Sequence, residues 1–270
     1  MIDDDFQYNI NTVSVRGHKM VENVHSEEVI KRWDRFADTY AKNHGQHGDP
    51  HKEVLLNPTL FALMGNVSGM EVLDAGCGEG YLSRMISRKG AKVTAEDYST
   101  RMLDIAKERT PKKLSIHYQW GNCEALHFLE DQSFDLVVSN MVIQDLEKFE
   151  SAFQEIYRVL KRNGQFVFSI LHPCFVTPES GWEKDSAGHK LYRKVDKYFY
   201  EGIYEQSMGK DDPVFYFHRT LTTYINTFMD VGFQLEKVIE PTPNADLLEK
   251  YPLFSEDFRC ADFIVFKLTK

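Results

Sequence analysis

The residues best suited to chemistry in this 270-residue chain cluster at the ends of short β-like runs. The first cluster, Asp74-Ala75-Gly76-Cys77-Gly78-Glu79-Gly80, follows the apolar pair Val72-Leu73. Glycines at this spacing let the backbone turn sharply and let a ligand approach with no Cβ in the way. A helical pattern starts at once, and the free N–H groups of a helix start attract a negative group. The dinucleotide fingerprint is G-x-G-x-x-G. Here Tyr81 stands where its last glycine would fall, and Asp74 precedes the first glycine by two, giving D-x-G-x-G-x-G. A carboxylate at the strand end suits a cationic amino group, and the helix N–H groups suit a carboxylate. The implied guest is a zwitterionic amino-acid moiety, not a pyrophosphate.

The second cluster is Val93-Thr94-Ala95-Glu96-Asp97-Tyr98-Ser99. Ligands of open parallel sheets bind beyond the carboxyl ends of the strands. Of the two acids there, Asp97 is favoured, as the last strand residue before a helix cap at Ser99. Its carboxylate suits both hydroxyls of a ribose, and Tyr98 and Met102 suit the faces of an adenine. The third cluster, Gly121-Asn122-Cys123-Glu124-Ala125-Leu126, follows another strand, and Asn122 with the Cys123 backbone suits an adenine edge. The fourth is the strand Ser133 to Ser139, ending in Asn140 beside the same cleft.

Positioning these clusters requires a particular run of elements. Apolar residues Val29, Ile30, Trp33, Phe36, Ala37 and Tyr40 recur at helical spacing from Ser26 to Asn43, and His51 to Val67 reads as a second helix. Strands are predicted over 69–74, 91–97, 114–120, 134–139 and 165–171, with helices over 80–89, 99–109 and 148–160 between them. That alternation predicts a doubly wound, Rossmann-like α/β fold: a mainly parallel sheet with helices on both faces. Pro173 breaks the pattern, and residues 173–217 read as an irregular, aromatic-rich insertion. A helix over 220–230 ending at Gly232 follows, then strands over 233–239 and 261–268 that form the sheet edge if they pair antiparallel. Residues 1–25 read as a loose arm and 26–270 as one domain.

Composition narrows the class. Lys and Arg number 32 against 41 Asp and Glu, a net charge of −9. That balance disfavours nucleic acid or an anionic membrane as partner, because both need a basic surface to release counterions. No apolar run approaches a membrane span, and the acidic start lacks the pattern of a signal peptide. Cys77, Cys123, Cys174 and Cys260 never form C-x-x-C, so free thiols in a reducing cytoplasm fit best.

The four clusters, in this order and spacing, resemble those of the class I S-adenosylmethionine-dependent methyltransferases, in particular the small-molecule branch of the ubiquinone and menaquinone biosynthesis type. The resemblance is strong over 28–172, weaker over 218–270 and absent over 173–217. It implies a seven-stranded sheet whose last strand is antiparallel, S-adenosylmethionine as methyl donor and S-adenosylhomocysteine as product, with no metal. It assigns methionine contacts to Asp74, Gly76, Cys77 and Gly78, a ribose contact to Asp97, and adenine contacts to Tyr98, Met102, Asn122, Cys123 and Glu124. Asn140 and Met141 would line the sulfonium, and Tyr40 in the first helix would cover the donor. Two positions depart from the pattern: Asn122 stands where relatives usually carry Asp, and Gln144 where many carry His.

Candidates for the acceptor side are His172, which ends the fifth strand and is the best-placed base, and Gln144 after the fourth strand. His44, His47 and His51 sit in a Gly/Asp/Pro loop that lacks a carboxylate set for a metal. The insertion over 173–217 reads as a lid over the acceptor, or else as a homodimer surface or second small core. Its Lys190, Arg193, Lys194 and Lys197 form a solvated face or attract an acidic acceptor. The expected function is methyl transfer to an O, N or C nucleophile of a small metabolite. An RNA or protein methyltransferase and a non-catalytic donor-binding protein stay open, although the N-P-P-Y strand end of base modifiers is replaced by Ser139-Asn140-Met141-Val142.

Overall fold

The computed structural model describes residues 25–206 and 213–270. The arm expected over 1–25 lies, apart from His25, outside the described residues. The helices are α1 Ser26–Lys42, α2 Asn57–Met64, α3 Tyr81–Arg88, α4 Thr100–Arg109, α5 Phe149–Val159 and α6 Leu221–Val231. The strands are β1 Glu71–Ala75, β2 Lys92–Asp97, β3 Ile116–Trp120, β4 Phe134–Asn140, β5 Leu160–Leu171, β6 Gly181–Lys184, β7 Lys190–Lys194, β8 Gly202–Gln206, β9 Val214–His218, β10 Gln234–Ile239 and β11 Phe263–Thr269.

Seven strands form one sheet in the order β10-β11-β5-β4-β1-β2-β3. The pairs among β1 to β5 are parallel, and β11 pairs antiparallel with both β5 and β10. The last strand therefore runs counter to the rest, and the expected antiparallel pair closes that edge. Alternate residues of a strand point to opposite faces, and here both faces are covered. Val72, Val93, Leu136 and Val265 pack on one face with Leu60, Leu82 and Ile86. Leu73, Val137, Phe166, Phe168 and Phe266 pack on the other with Phe153, Ile156 and Phe228. Strands buried on both sides need apolar residues at nearly every position, which is why they read as continuous runs. The helix ends follow their local chemistry: Ser99 accepts from the Met102 N–H, Thr220 from the Thr223 N–H, and Gly232 ends α6 at φ +114°.

The insertion corrects the expectation of irregular chain over 173–217. It carries two antiparallel hairpins, β6 with β7 and β8 with β9. Tyr204 stands opposite Tyr216 in the second hairpin, with ring centroids 6.1 Å apart. Aromatic and β-branched residues favour such cross-strand pairs. This hairpin lies on α1. Ile203 and Phe215 pack with Val29, and the Arg32 guanidinium stands 3.7 Å from the Phe215 ring centroid while donating to the Pro213 carbonyl oxygen at 2.7 Å. Of Lys190, Arg193, Lys194 and Lys197, Lys197 is exposed, whereas two are held against an aromatic ring. Lys190 and Arg193 stand over the ring of Trp182, and Arg193 donates to the Phe175 carbonyl oxygen. The helix expected over 51–67 begins as a π-helical stretch, Lys52–Leu56, before α2. Among the described residues no helix is long and apolar enough to cross a membrane, and all four cysteines are unpaired.

Candidate active site

The sheet order reverses direction at β1, with β2 on one side and β4 on the other. A crevice opens at the carboxyl ends of strands at such a point. The glycine turn sits there with Gly76, Gly78 and Gly80 at φ +75°, +54° and +79°. Its amides are stapled to the end of β2. Gly76 and Cys77 donate to the Glu96 carbonyl oxygen at 2.9 and 2.8 Å, and Gly78 donates to Asp97 Oδ2 at 2.7 Å. Gly80 donates to the Cys77 carbonyl oxygen. Three of these N–H groups are spent on the end of β2 and the fourth within the turn. A Cβ on Gly76 would stand 2.4 Å from Val142 Cγ2, whereas one on Gly78 would meet nothing within 4 Å.

Three acids lie around this turn. Asp74 is buried, and its Oδ2 accepts from Ser83 Oγ, which ties β1 to the first turn of α3. Burial pushes its carboxyl up to about 7. Glu96 is buried and accepts from the Cys123 thiol at 3.1 Å, while its Oε1 has no hydrogen-bond partner among the described residues. Burial, with Asp97 adding repulsion, pushes it up to about 8. Asp97 accepts from the Ser99 and Gly78 amides, and burial still pushes it up to about 6.

Because these carboxyls stand above their ordinary values, the folded chain holds protons that the unfolded chain releases. The stability this brings is complete below pH about 4 and is lost as pH rises through 6 to 8. The free protein is expected to melt at a lower temperature at pH 8 than at pH 6. A cationic ligand among the acids is expected to bind more tightly as pH rises, by up to about tenfold per unit for one proton released. Melting curves at both pH values, with and without a sulfonium ligand, check this. A melting temperature that does not fall across that window in the free protein would overturn the raised carboxyls.

The main cleft holds about 760 Å³, counting the part open to solvent. Gly76, Gly78, Glu96 and Asp97 line it, as do Tyr98, Met102, Asn122, Cys123, Asn140 and Met141. A smaller hollow shares Tyr40, Gly76, Gly78 and Asn140 with it and adds Asp74, Cys77 and Lys52. Asn140 donates to the Tyr81 hydroxyl and accepts from Ser169 Oγ, which holds the end of β4 rigid. Met141 follows at φ +64°, a strained conformation for a side-chain-bearing residue, and its N–H is held by Ser169.

Three expected site residues stand elsewhere. Glu124 is not among the cleft-lining residues; it accepts from the Lys148 N–H just before α5. His172 lines neither hollow. Its Nε2 pairs with Glu240 at 2.8 Å and its Nδ1 accepts from the Cys174 N–H, so the ring ties the end of β5 to the chain after β10. Gln144 is buried beside the cleft, and neither end of its amide has a partner among the described residues. Asn122 does line the cleft, but its Oδ1 already accepts from the Glu124 N–H.

The sequence reading missed Trp33, Lys52 and Asp145, which also line the two hollows. Burial pushes the Asp145 carboxyl well above the carboxylate range, with Asp97 adding to the rise. His44 and His51 both face the Asp49 carboxylate, at 3.3 and 3.8 Å, but among the described residues no three such side chains gather to hold a metal. His44 stacks on Tyr40 with centroids 3.9 Å apart, and His51 packs edge-on against Phe254.

A family model for a methyltransferase domain matches residues 73–168. The malonyl-[acyl-carrier protein] O-methyltransferase of Serratia marcescens is 32% identical over 150 residues, 56% of this chain and 55% of that enzyme, so the match spans about half its length. A solved Mesorhizobium loti S-adenosylmethionine-dependent methyltransferase superposes with a TM-score of 0.72 at 29% identity, covering 84% of this chain and 100% of that one. A Listeria monocytogenes structure, described as an S-adenosylmethionine-dependent methyltransferase, gives 0.69 at 32% identity, covering 79% of this chain and 95% of that one. S-adenosylmethionine also fits the residues present: Gly78 leaves open space where a side chain would stand, and Glu96 keeps a buried oxygen without a partner. Identity of this order across nearly the whole Listeria chain is a likeness of family as well as of fold, and the chain belongs to the class I S-adenosylmethionine-dependent methyltransferases.

Proposed function

We propose that the methyl group goes to a small-molecule acceptor enclosed beneath the β8–β9 hairpin. One observation carries this reading. The hairpin lies over α1 and buries Tyr204 and Tyr216; burial raises both phenols, and Asp145 lies close enough to add to the rise. Within the cleft, an acceptor reaching Asp145 meets the rings of Trp33 and Tyr40, which suits a small molecule and leaves little room for a folded RNA or protein surface. The Serratia relative is named for methylating malonyl-[acyl-carrier protein], which supports a small acceptor group, free or on a carrier arm.

Bound S-adenosylmethionine supplies an already activated methyl group. What remains for the chain is to align the partners and exclude water, and effective molarity alone contributes about 7–11 kcal/mol. Asp97 would hold the ribose hydroxyls, and Tyr98 and Met102 the adenine faces. Asn122 and Cys123 would border its edge, and Asn140 with Met141 would flank the sulfonium. Asp145 is the proton acceptor for a nucleophile that must lose a proton, worth about 10²–10⁴-fold. Asp145→Asn is expected to keep donor affinity within about twofold and to cut turnover about a hundredfold. Unchanged turnover would make Asp145 a wall residue only.

Incubating the protein with methyl-labelled donor and a cell extract divided into small-molecule, RNA and protein fractions tests the acceptor class. Label is expected in the small-molecule fraction. Label confined to RNA, or to protein in a form that thioester cleavage with hydroxylamine does not release, would overturn the proposal.

A further inference from the structure

β10 ends the sheet and pairs with β11 alone, so the hydrogen-bonding groups along its other side meet no strand among the described residues. Such a row of N–H and C=O groups is a template for another strand. Gln234 to Val238 are all exposed.

The side chains of β10 depart from simple alternation, because a bulge falls between Leu235 and Lys237. Leu235 stands opposite Leu268, and Val238 opposite Phe266. Residues directly opposite share a face of the sheet. Leu235 and Val238 therefore lie on one face although three positions separate them. Leu268 and Phe266 are fully buried there, whereas Leu235 and Val238 are each 40% exposed. Lys237 stands opposite Lys267 on the other face. Glu236 reaches that same face: it accepts from Thr269 Oγ1 and pairs with Lys267 Nζ at 3.0 Å. Like charges directly opposite destabilise a sheet, and Lys237 forms no ion pair among the described residues. Lysines and bulges usually guard an edge against pairing. Here the bulge instead gathers the apolar pair on one face and the charged pair on the other.

The complement of this pattern is the same strand in a second copy. Set two such strands antiparallel about a two-fold axis between residues 236 and 237. Leu235 of each copy then meets Val238 of the other, on one face. Glu236 of each meets Lys237 of the other, on the opposite face, and a carboxylate already holding Lys267 has lone pairs for a second cation. Each contact occurs twice, as an isologous interface requires. We propose that the chain forms a two-fold dimer through β10, joining two sheets into one continuous sheet.

Light scattering on the full chain over a concentration series is expected to give the mass of two chains. Lys237→Glu sets Glu against Glu at both charged contacts and is expected to raise the dimer dissociation constant about tenfold. Glu236→Lys sets lysine against lysine with the same effect. Mixed in equal amounts, the two variants can form a pair in which every charged contact is again complementary, and the mixture is expected to recover the parental dimer. Val238→Lys changes an exposed side chain, so it is expected to keep the parental melting temperature within a few degrees while leaving a single chain. It decides the matter should Glu236→Lys fold poorly without its ties to Thr269 and Lys267. The mass of one chain at every concentration would overturn the proposal. So would a dimer indifferent to Val238→Lys and Lys237→Glu, or folded charge variants that do not recover when mixed.

Discussion

Asp97→Ala is expected to weaken S-adenosylmethionine binding about a hundredfold and to destabilise the free protein by about 2–4 kcal/mol. Two effects add. The ribose hydroxyls lose a charged acceptor, an interaction of about 1.5–3 kcal/mol. The Gly78 and Ser99 amides lose the carboxylate oxygens they donate to at 2.7 and 2.8 Å, which frees the glycine turn from β2 and loosens the start of α4. Asp97→Asn separates the two, since its single carbonyl oxygen can satisfy one amide but not both. Its melting temperature is expected to lie between those of the alanine variant and the parent, with donor affinity still much reduced. Calorimetry showing parental affinity in a folded Asp97→Ala variant would remove Asp97 from the site.

Adding one methyl at Gly76 is expected to do nearly as much damage by a different route. Its Cβ would fall 2.4 Å from Val142 Cγ2, on a backbone at φ +75° that side-chain-bearing residues resist. Left-handed strain costs about 1–2 kcal/mol, and overpacking typically about 1–3 kcal/mol more. Gly76→Ala is therefore expected to lose about 3 kcal/mol of stability and most donor binding. Val142→Ala in the same chain should restore the packing part and leave the backbone part. Gly78→Ala is the contrast: its Cβ meets nothing within 4 Å because it projects into open space. Most of its cost should fall on donor affinity and little on packing. Melting curves and donor titrations on the three variants check this, and equal melting losses for the two glycine substitutions would contradict the geometry.

The parallel core was readable because short β-like runs alternate with helical patterns, and because β1 and β2 carry acids at their ends, beside the glycine turn and the helix cap. Val72-Leu73 leads straight into Asp74 and the turn, and Ala95-Glu96-Asp97 ends at a serine cap that forms as expected. The β8–β9 hairpin was the harder case. The sequence does hold a signal for it: Gly209, Asp211, Asp212 and Pro213 between the two runs are turn residues, and only the aromatic-rich surroundings draw the reading away from a hairpin. Side-chain direction was the other blind spot. His172 ends β5 as predicted, yet its ring is turned away to Glu240. Lys52 sat unnoticed among histidines because only folding brings Tyr40, His44 and Asp49 around it. The spending of the turn amides on β2 is equally a tertiary fact, invisible in a motif that fixes only local backbone.

The position of β11 has a consequence for biosynthesis. It lies between β5 and β10, so residues 263–269 complete a sheet whose other strands are made long before. Until they leave the ribosome, one edge of β5 has no partner, and Phe166, Phe168 and Ile170 lack the Phe266 and Ile264 side chains that cover them in the finished sheet. An unpaired strand edge flanked by apolar surface is a template for wrong pairing. The nascent chain thus carries that hazard through the making of the whole aromatic insertion and α6.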